Sequence, residues 1–141
     1  MSISKLSGVT YSSINKISGV AKSGVAKVKG IAPSYFLDDH AGSVCAYSLR
    51  QLSSTASYAI TVENSSGATA DIGFTAAGGL DTSALATHCG SNYGRVSKWW
   101  DQSGNSNHME QSTATARPYI VDASGNLITT TDSSIPALDF Y

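Results

Sequence analysis

Charged residues are scarce in this sequence. They make up 13% of its 141 residues, and the formal net charge is −1. Without an excess of positive charge, the chain has no bulk electrostatic attraction for nucleic acid or for an anionic membrane surface, so we expect neither as a partner. Serine, threonine, glycine, alanine and asparagine fill the remaining polar and small positions. That composition favours turn-rich β structure over a helical enzyme.

Long apolar runs are also missing. No segment approaches the roughly 20 apolar residues of a membrane-spanning helix, and the first five residues do not begin the continuous apolar region of a secretory signal. We therefore expect no membrane partner, and either a mature soluble protein or one released by lysis.

Cysteine is nearly absent. Cys45 and Cys89 are the two cysteines, and they show neither CxxC nor Cys/His metal-binding spacing. They could pair with each other, or both could be small buried residues. We expect free and buried thiols, since unpaired cysteine prefers protein interiors.

Catalytic patterns are lacking as well. The chain has no phosphate-binding loop, no Ser/His/Asp signature and no basic surface interleaved with aromatic residues. The adjacent Asp38, Asp39 and His40 predict a polar loop. A metal or acid/base site there is the alternative, but it has no third ligand at recognisable spacing. Asp101 and Glu110 could approach each other like the carboxyl pair of a glycosidase, but Asp101 is better suited to accept turn amides. We predict a non-enzyme without catalytic residues, metal or cofactor.

The charge that is present is unevenly distributed. Residues 1–34 carry five lysines and no acid, whereas residues 35–141 carry four basic residues and all ten acids. Pro33 lies between the two parts, and proline biases its predecessor towards an extended conformation. The sequence therefore predicts a basic N-terminal arm, residues 1–34, joined to one domain, residues 35–141.

The arm contains an internal repeat. The pattern h-x-K-h-x-G-h, where h is apolar, begins at Ile3, Ile14 and Val25, an interval of eleven residues. Such an interval can mark a right-handed helical supercoil, but the regular glycine and the β-branched residues disfavour helix. We predict three short extended segments instead.

Segments this short cannot bury their own apolar groups, so the arm needs a partner surface. The same arm in neighbouring subunits, or the sheet edge of another protein, would supply one. A flexible basic tail is the alternative. The predicted partner-binding residues are Ile3, Lys5, Leu6, Val9, Ile14, Lys16, Ile17, Val20, Val25, Lys27, Val28 and Ile31.

The domain reads as mainly β. Residues 58–63 alternate between apolar and polar, which predicts a strand, and residues 70–74 predict a shorter one. Residues 117–121 and 126–130 flank Asp-Ala-Ser-Gly and predict a β-hairpin. Asp81 can cap a short helix over residues 81–86. Residues 46–52 are ambiguous between a strand and a helical turn.

Residues 96–111 contain both tryptophans and the sharpest turn signal, Asp-Gln-Ser-Gly-Asn at 101–105. In a regular strand, Val96, Lys98 and Trp100 would share one face and Trp99 the other. This predicts one core indole and one interface indole. A glycan-binding platform is the alternative, with the indoles stacking on a sugar beside polar neighbours. Its residues would be Trp99, Trp100, Asn105, Asn107 and His108.

Three blocks of the domain carry a resemblance to a known family. They are A-Y-S-L-R-Q-L at 46–52, A-A-G-G-L-D-T-S-A-L at 76–85 and W-D-Q-S-G-N-S-N-H at 100–108, with Arg117-Pro118 following. Together they resemble the N-terminal part of the catalytic module of α-L-arabinofuranosidase B, which has similar segments in the same order. The resemblance spans residues 44–121. It implies a small β-sandwich of the concanavalin-like or jelly-roll type, complete or incomplete, related to legume-lectin and laminin-G folds.

The departures from that family bear on function. Its catalytic carboxylates lie C-terminal to these blocks, so the resemblance carries no catalytic role onto this chain. Gly94 stands where the fungal enzymes have a cysteine partner for the one at Cys89, and Trp100 replaces a tyrosine.

Similar modules occur in bacteriophage virion proteins behind similar lysine-spaced arms. The combination implies a virion structural protein such as a tail or neck fibre, a spike or a capsid-associated appendage. Its partners would be capsid, neck or tail proteins and copies of itself. The alternatives are a host-recognition module that binds cell-surface glycan, and a non-catalytic fragment of an arabinofuranosidase-like glycosidase.

Overall fold

The computed structural model describes residues 5–6, 9–10, 16–17, 20–21, 35–40, 42–131 and 134–140. The chain divides into two compact units, Met1–Ser34 and Tyr35–Tyr141. Within the described residues, no helix has the length and apolar character needed to cross a membrane.

The described part of the N-terminal unit consists of four two-residue strands. They are β1 (Lys5–Leu6), β2 (Val9–Thr10), β3 (Lys16–Ile17) and β4 (Val20–Ala21). β1 pairs with β2 and β3 with β4, both antiparallel. These strands belong to the first two sequence repeats, and the third repeat lies outside the described residues.

The second unit is built on a five-stranded antiparallel sheet. Its strands are β5 (Tyr58–Asn64), β6 (Thr69–Gly73), β7 (Gly94–Trp99), β8 (Met109–Glu110) and β9 (Tyr119–Val121). The order across the sheet is β6-β5-β7-β8, and β9 also pairs with β7. The prediction of a mainly β fold is confirmed, and the predicted strands at 58–63, 70–74 and 96–100 are present within one or two residues.

One face of this sheet carries the core. Ile60, Val62, Ile72 and Val96 are buried there, because alternate residues of paired strands point to the same side. Helix α2 (Thr82–Cys89) adds Leu85 and Cys89 to the same cluster, together with Leu80, Ile120 and Val121. The opposite face holds the polar partners Thr61, Asp71 and Lys98.

Helix α2 begins at the predicted cap. The Asp81 carboxylate accepts hydrogen bonds from the Ser83 and Ala84 N–H groups, which satisfies donors that have no partner inside the helix. The helix extends three residues beyond its predicted end.

At the start of the domain, Asp38 and Asp39 belong to the short helix α1 (Phe36–Asp39), so the prediction of a loop there was wrong for both aspartates.

The predicted C-terminal hairpin is present. Asp122 N–H donates to the Asn126 carbonyl at 2.9 Å, Ile128 N–H donates to the Ile120 carbonyl at 2.9 Å, and Val121 bridges Leu127. Segment 42–52 is neither strand nor helix. Side chains from another part of the chain hold it in place, and those side chains form the candidate site.

Candidate functional site

The Asp101 carboxylate organises the loop that follows β7. Its Oδ1 accepts hydrogen bonds from the Ser103 N–H at 2.9 Å and the Ala46 N–H at 2.8 Å. Its Oδ2 accepts from the Ser103 hydroxyl at 2.8 Å and the Asn107 N–H at 3.1 Å. The prediction that Asp101 fixes the turn by accepting backbone amides is confirmed.

These contacts also set the charge state of Asp101. Burial raises its pKa, but the hydrogen bonds from the Ser103, Ala46 and Asn107 groups outweigh burial, so the pKa lies below the ordinary value. The carboxylate is therefore ionised at neutral pH. A carboxylate with a lowered pKa is unsuited to act as a general acid.

Gln102 is the second anchor, and its side chain is 4% exposed. The carboxamide oxygen accepts a hydrogen bond from the Leu52 N–H at 2.7 Å. The carboxamide nitrogen donates to the carbonyls of Ser48 at 2.9 Å and Arg50 at 3.0 Å, and the Gln102 backbone N–H donates to the Ala46 carbonyl at 2.8 Å. One buried side chain thus holds alternate backbone groups of segment 46–52.

Asn105 and Asn107 hold the residues just before that segment, near the beginning of segment 42–52. The Asn105 amide donates to the carbonyls of Ser43 at 2.8 Å and Val44 at 3.0 Å, and the Asn107 amide donates to the Val44 carbonyl at 2.8 Å. The Tyr47 hydroxyl donates to the Asn107 carbonyl. The two asparagines predicted to bind glycan therefore use amide donors on the chain's own backbone.

The pattern Asp/Asn-x-Ser-Gly occurs three times in the domain. In Asp101-Gln-Ser-Gly, Asp122-Ala-Ser-Gly and Asn64-Ser-Ser-Gly, the first side chain accepts the N–H of the serine two residues later, at 2.8–3.0 Å. The glycine of each has a positive φ of 81–88°, a conformation that glycine adopts without steric cost. At Asp122 and Asn64 the loop closes a hairpin through paired backbone bonds. At Asp101 the backbone N–H instead donates to Nδ1 of His108 at 3.1 Å.

The two tryptophans lie on opposite faces of the sheet. Trp99 packs against the core cluster, of which Val96 is a buried member. The predicted sharing of a face by Val96, Lys98 and Trp100 was wrong for Val96. A β-bulge lies between Thr61 and Val62, which pair with Lys98 and Val96, so Ser97 is an extra residue and shifts the alternation.

Trp100 lies in a cluster of side chains on the face opposite the core. His108 makes an edge contact at 4.5 Å between ring centroids, and Tyr58 lies at 5.4 Å. The Lys98 ammonium stands 4.6 Å from the centre of the Trp100 ring, within cation–π range. We call Tyr58, Lys98, Trp100 and His108 the outer aromatic cluster. Of the five residues predicted to bind glycan, the structure brings only Trp100 and His108 into this cluster.

Neighbouring polar groups of the cluster are paired with one another. Trp100 Nε1 donates to the Thr61 hydroxyl at 3.0 Å, which in turn donates to Asp71 at 2.6 Å. Lys98 forms an ion pair with Glu110 at 2.7 Å, and this contact lowers the pKa of Glu110. Asp101 and Glu110 thus have separate partners, and neither carries the raised pKa of a catalytic acid.

Sequence reasoning did not predict two members of this arrangement, Tyr58 and Gln102. The alternation over residues 58–63 would put Tyr58 on the same face as Ile60 and Val62, yet Tyr58 is 42% exposed. Ala59 is an extra residue in the pairing of β5 with β6 and shifts the alternation. The sequence did contain a signal that could have singled out Gln102. It is the residue that distinguishes the Asp101 loop from the Asp122 loop, where alanine stands at the same place.

The remaining candidate groups lie apart from this site. Asp38 accepts hydrogen bonds from the Ser54 N–H at 3.0 Å and the Ser53 hydroxyl at 3.2 Å. Among the described residues, no group of three or more His, Cys, Asp or Glu side chains could hold a metal ion. Both cysteines are free, but only Cys89 is buried. The expectation that both are buried was wrong for Cys45.

The predicted arm residues are only partly described. Lys5, Leu6, Val9, Lys16, Ile17 and Val20 lie in β1–β4. Ile3, Ile14, Val25, Lys27, Val28 and Ile31 lie outside the described residues.

Comparison of the whole chain with protein-family models, curated proteins and solved structures finds no match.

Proposed function

We propose that this chain is a bacteriophage virion structural protein, a fibre, spike or capsid-associated appendage, attached to other virion proteins through residues 1–34. The observation that carries the proposal is the separation of charge between the two units. The first 34 residues hold five lysines and no acid in a repeated apolar frame, and they form a unit of their own. Such a segment suits attachment to an acidic or edge-exposed protein surface.

In this proposal the domain is a small concanavalin-like β-sandwich of the jelly-roll type, with the five-stranded sheet as one layer. The hydrogen bonds of Asp101, Gln102, Asn105 and Asn107 support a scaffold role, since they bind the domain to itself. Those side chains belong to the block at 100–108 that resembles a glycosidase module, yet their contacts are those of a structural clamp. The domain would be carried as a rigid body.

Particle incorporation tests the proposal. A chain lacking residues 1–31 is expected to be absent from purified particles, while circular dichroism and tryptophan fluorescence show a folded domain. A full-length variant with Lys5, Lys16 and Lys27 changed to glutamate is expected to incorporate poorly, and one with Lys98→Glu, in the domain, to incorporate normally. Cross-linking in purified particles would identify the neighbours. Normal incorporation of the deletion variant would contradict the proposal.

A second candidate function is glycan binding, favoured by the outer aromatic cluster. Tyr58 is partly exposed beside Trp100 and His108, and aromatic rings beside polar groups are typical of sugar-binding surfaces. The Lys98 ammonium over the indole competes with a sugar for that ring. Glycan-array binding that Trp100→Ala or Tyr58→Ala abolishes, and that Asn105→Ala leaves unchanged, would support this function. An array without signal would count against it.

An active hydrolase fragment, unlike a non-catalytic one, would turn over an arabinofuranoside. We expect no turnover, because Asp101 and Glu110 have separate partners and both have lowered pKa values.

A further inference from the structure

The strand pairs of the N-terminal unit are the same structure repeated. In the first, Lys5 pairs with Thr10 and Leu6 with Val9. In the second, Lys16 pairs with Ala21 and Ile17 with Val20. Each partner in the second pair lies eleven residues after its counterpart in the first, so the backbone register follows the sequence repeat.

Each pair is short. Two residues per strand give a two-stranded sheet without a further strand among the described residues. A lone two-stranded hairpin is at best marginally stable in water, and the outer edges of such a pair are templates for another strand. Repeated units of this kind gain stability from neighbours that they contact.

The fixed interval limits what the neighbour can be. A partner that engages both pairs at once must offer strand edges placed to match them. A second copy of this chain carries the same two pairs at the same interval, and simultaneous engagement of several weak sites raises the overall affinity. We infer that the strand pairs of different copies associate edge to edge and in register, making the N-terminal unit a self-assembly element. This rests on the proposed function, which assigns that unit to assembly, and it names the partner.

The charge of the N-terminal unit predicts how salt changes self-association. Each copy brings five lysines and no acid in its first 34 residues, so association between copies brings like charges together. Salt screens that repulsion, and self-association should therefore strengthen as salt rises. Binding of the same unit to an acidic protein would weaken with salt.

The test uses the full chain and sedimentation velocity at about 0.05 and about 0.5 M salt. Oligomers are expected, with an apparent dissociation constant that falls at least about 3-fold at the higher salt. Val9→Pro combined with Val20→Pro, one change in each strand pair, is expected to give monomers, since proline removes a backbone donor and fixes φ. The matched control is Val44→Pro, in the irregular segment of the other unit, and it should leave the oligomer intact.

A second experiment tests the interval. Two residues inserted after Ser13 change the spacing of the first two repeats equally in every copy, so the variant should still associate with itself. It should associate with the unmodified chain at least about 10-fold more weakly, because the two intervals no longer match. Fluorescent labels of two colours distinguish mixed from separate oligomers.

Three outcomes would overturn the inference: a monomeric full chain at both salt concentrations, oligomers that survive the double proline variant, or free mixing of the insertion variant with the unmodified chain. Each is distinguishable from failure of the proposed function, which is decided by incorporation into particles. A chain that self-associates but is absent from particles would refute the virion role alone.

Discussion

The carboxamide of Gln102 accepts a hydrogen bond from the backbone N–H of Leu52 at 2.7 Å, across fifty positions of sequence. The same side chain donates to the carbonyls of Ser48 and Arg50. Segment 46–52 has no strand partner, so these bonds replace the ladder that a sheet would have provided. The buried Gln102 side chain thereby pairs with backbone groups that a neighbouring strand would otherwise bind.

Gln102→Ala should lower the free energy of unfolding by about 2–4 kcal/mol, because it leaves one N–H and two carbonyls without their partner in a partly buried site. Urea denaturation followed by tryptophan fluorescence measures the change. The control is Gln111→Ala, whose side chain accepts one exposed hydrogen bond, from Thr113 N–H, and it should cost less than about 1 kcal/mol. Equal losses for the two variants would argue against a clamp role for Gln102.

Asp101 should make the domain sensitive to acid. Its folded-state pKa is below the unfolded value of about 3.9. The stabilisation is therefore complete above that value and is lost as the pH falls through the folded-state pKa. Asp101→Asn should lower the free energy of unfolding at pH 7. The difference in this free energy between the variant and the unmodified chain should shrink steadily below about pH 4.

Asp122→Asn is the matched control for Asp101→Asn. Asp122 begins the same D-x-S-G-N sequence, but its loop is exposed and its carboxylate bonds only to groups of that loop. It should lose less stability at pH 7 than Asp101→Asn does. If the difference in unfolding free energy between Asp101→Asn and the unmodified chain stayed constant from neutral to acid pH, the lowered pKa of Asp101 would not be a source of stability.

The two indoles should differ in their effect on stability. Trp99→Ala removes a ring that packs against the core and should cost about 3 kcal/mol or more. Trp100→Ala opens the outer aromatic cluster on the other face and should cost less. Chemical denaturation of both variants, followed by circular dichroism, gives the comparison. The opposite order would show that the bulge in β7 does not place the rings as described.

Gly94 should not tolerate a side chain while Cys89 is present. A Cβ at Gly94 would lie 2.6 Å from Cys89 Sγ and 3.0 Å from Val62 Cγ1. Gly94→Ala should therefore cost about 2 kcal/mol through overpacking. In a Cys89→Ala background the cost should fall by about 1 kcal/mol, since the nearer contact is removed, and a double-mutant cycle measures this coupling. Additive effects would show that the sulfur does not limit the space.

The two thiols should react at different rates with a thiol reagent. Cys45 is exposed, while Cys89 is 4% exposed and burial raises its pKa. One equivalent of thiol should react rapidly in the native protein and the second only after denaturation. Cys45→Ser should remove the rapid phase, and Cys89→Ser should leave it unchanged.

Local pattern was enough for the elements with strong local signals. The alternation at 58–63, the Asp81 cap and the turn glycine of the Asp122 loop each act within a few residues, and the structure contains all three. The role of Asp101 in its turn was also predictable, because a carboxylate two residues before a serine N–H has a ready local partner. The charge separation between residues 1–34 and 35–141 is likewise a property of the sequence alone.

What only the tertiary structure decided depends on contacts between distant residues. The bulge opposite Thr61 and Val62 places Val96 and Trp99 on the core face and Trp100 on the other, because strand register is set between paired strands and not within a single strand. The partners of Asn105, Asn107 and Gln102 lie about fifty to sixty residues away, so no local pattern could show that these amides bind backbone. The sequence determined which polar groups were available, and the packing of segment 42–52 against the Asp101 loop determined how they were used.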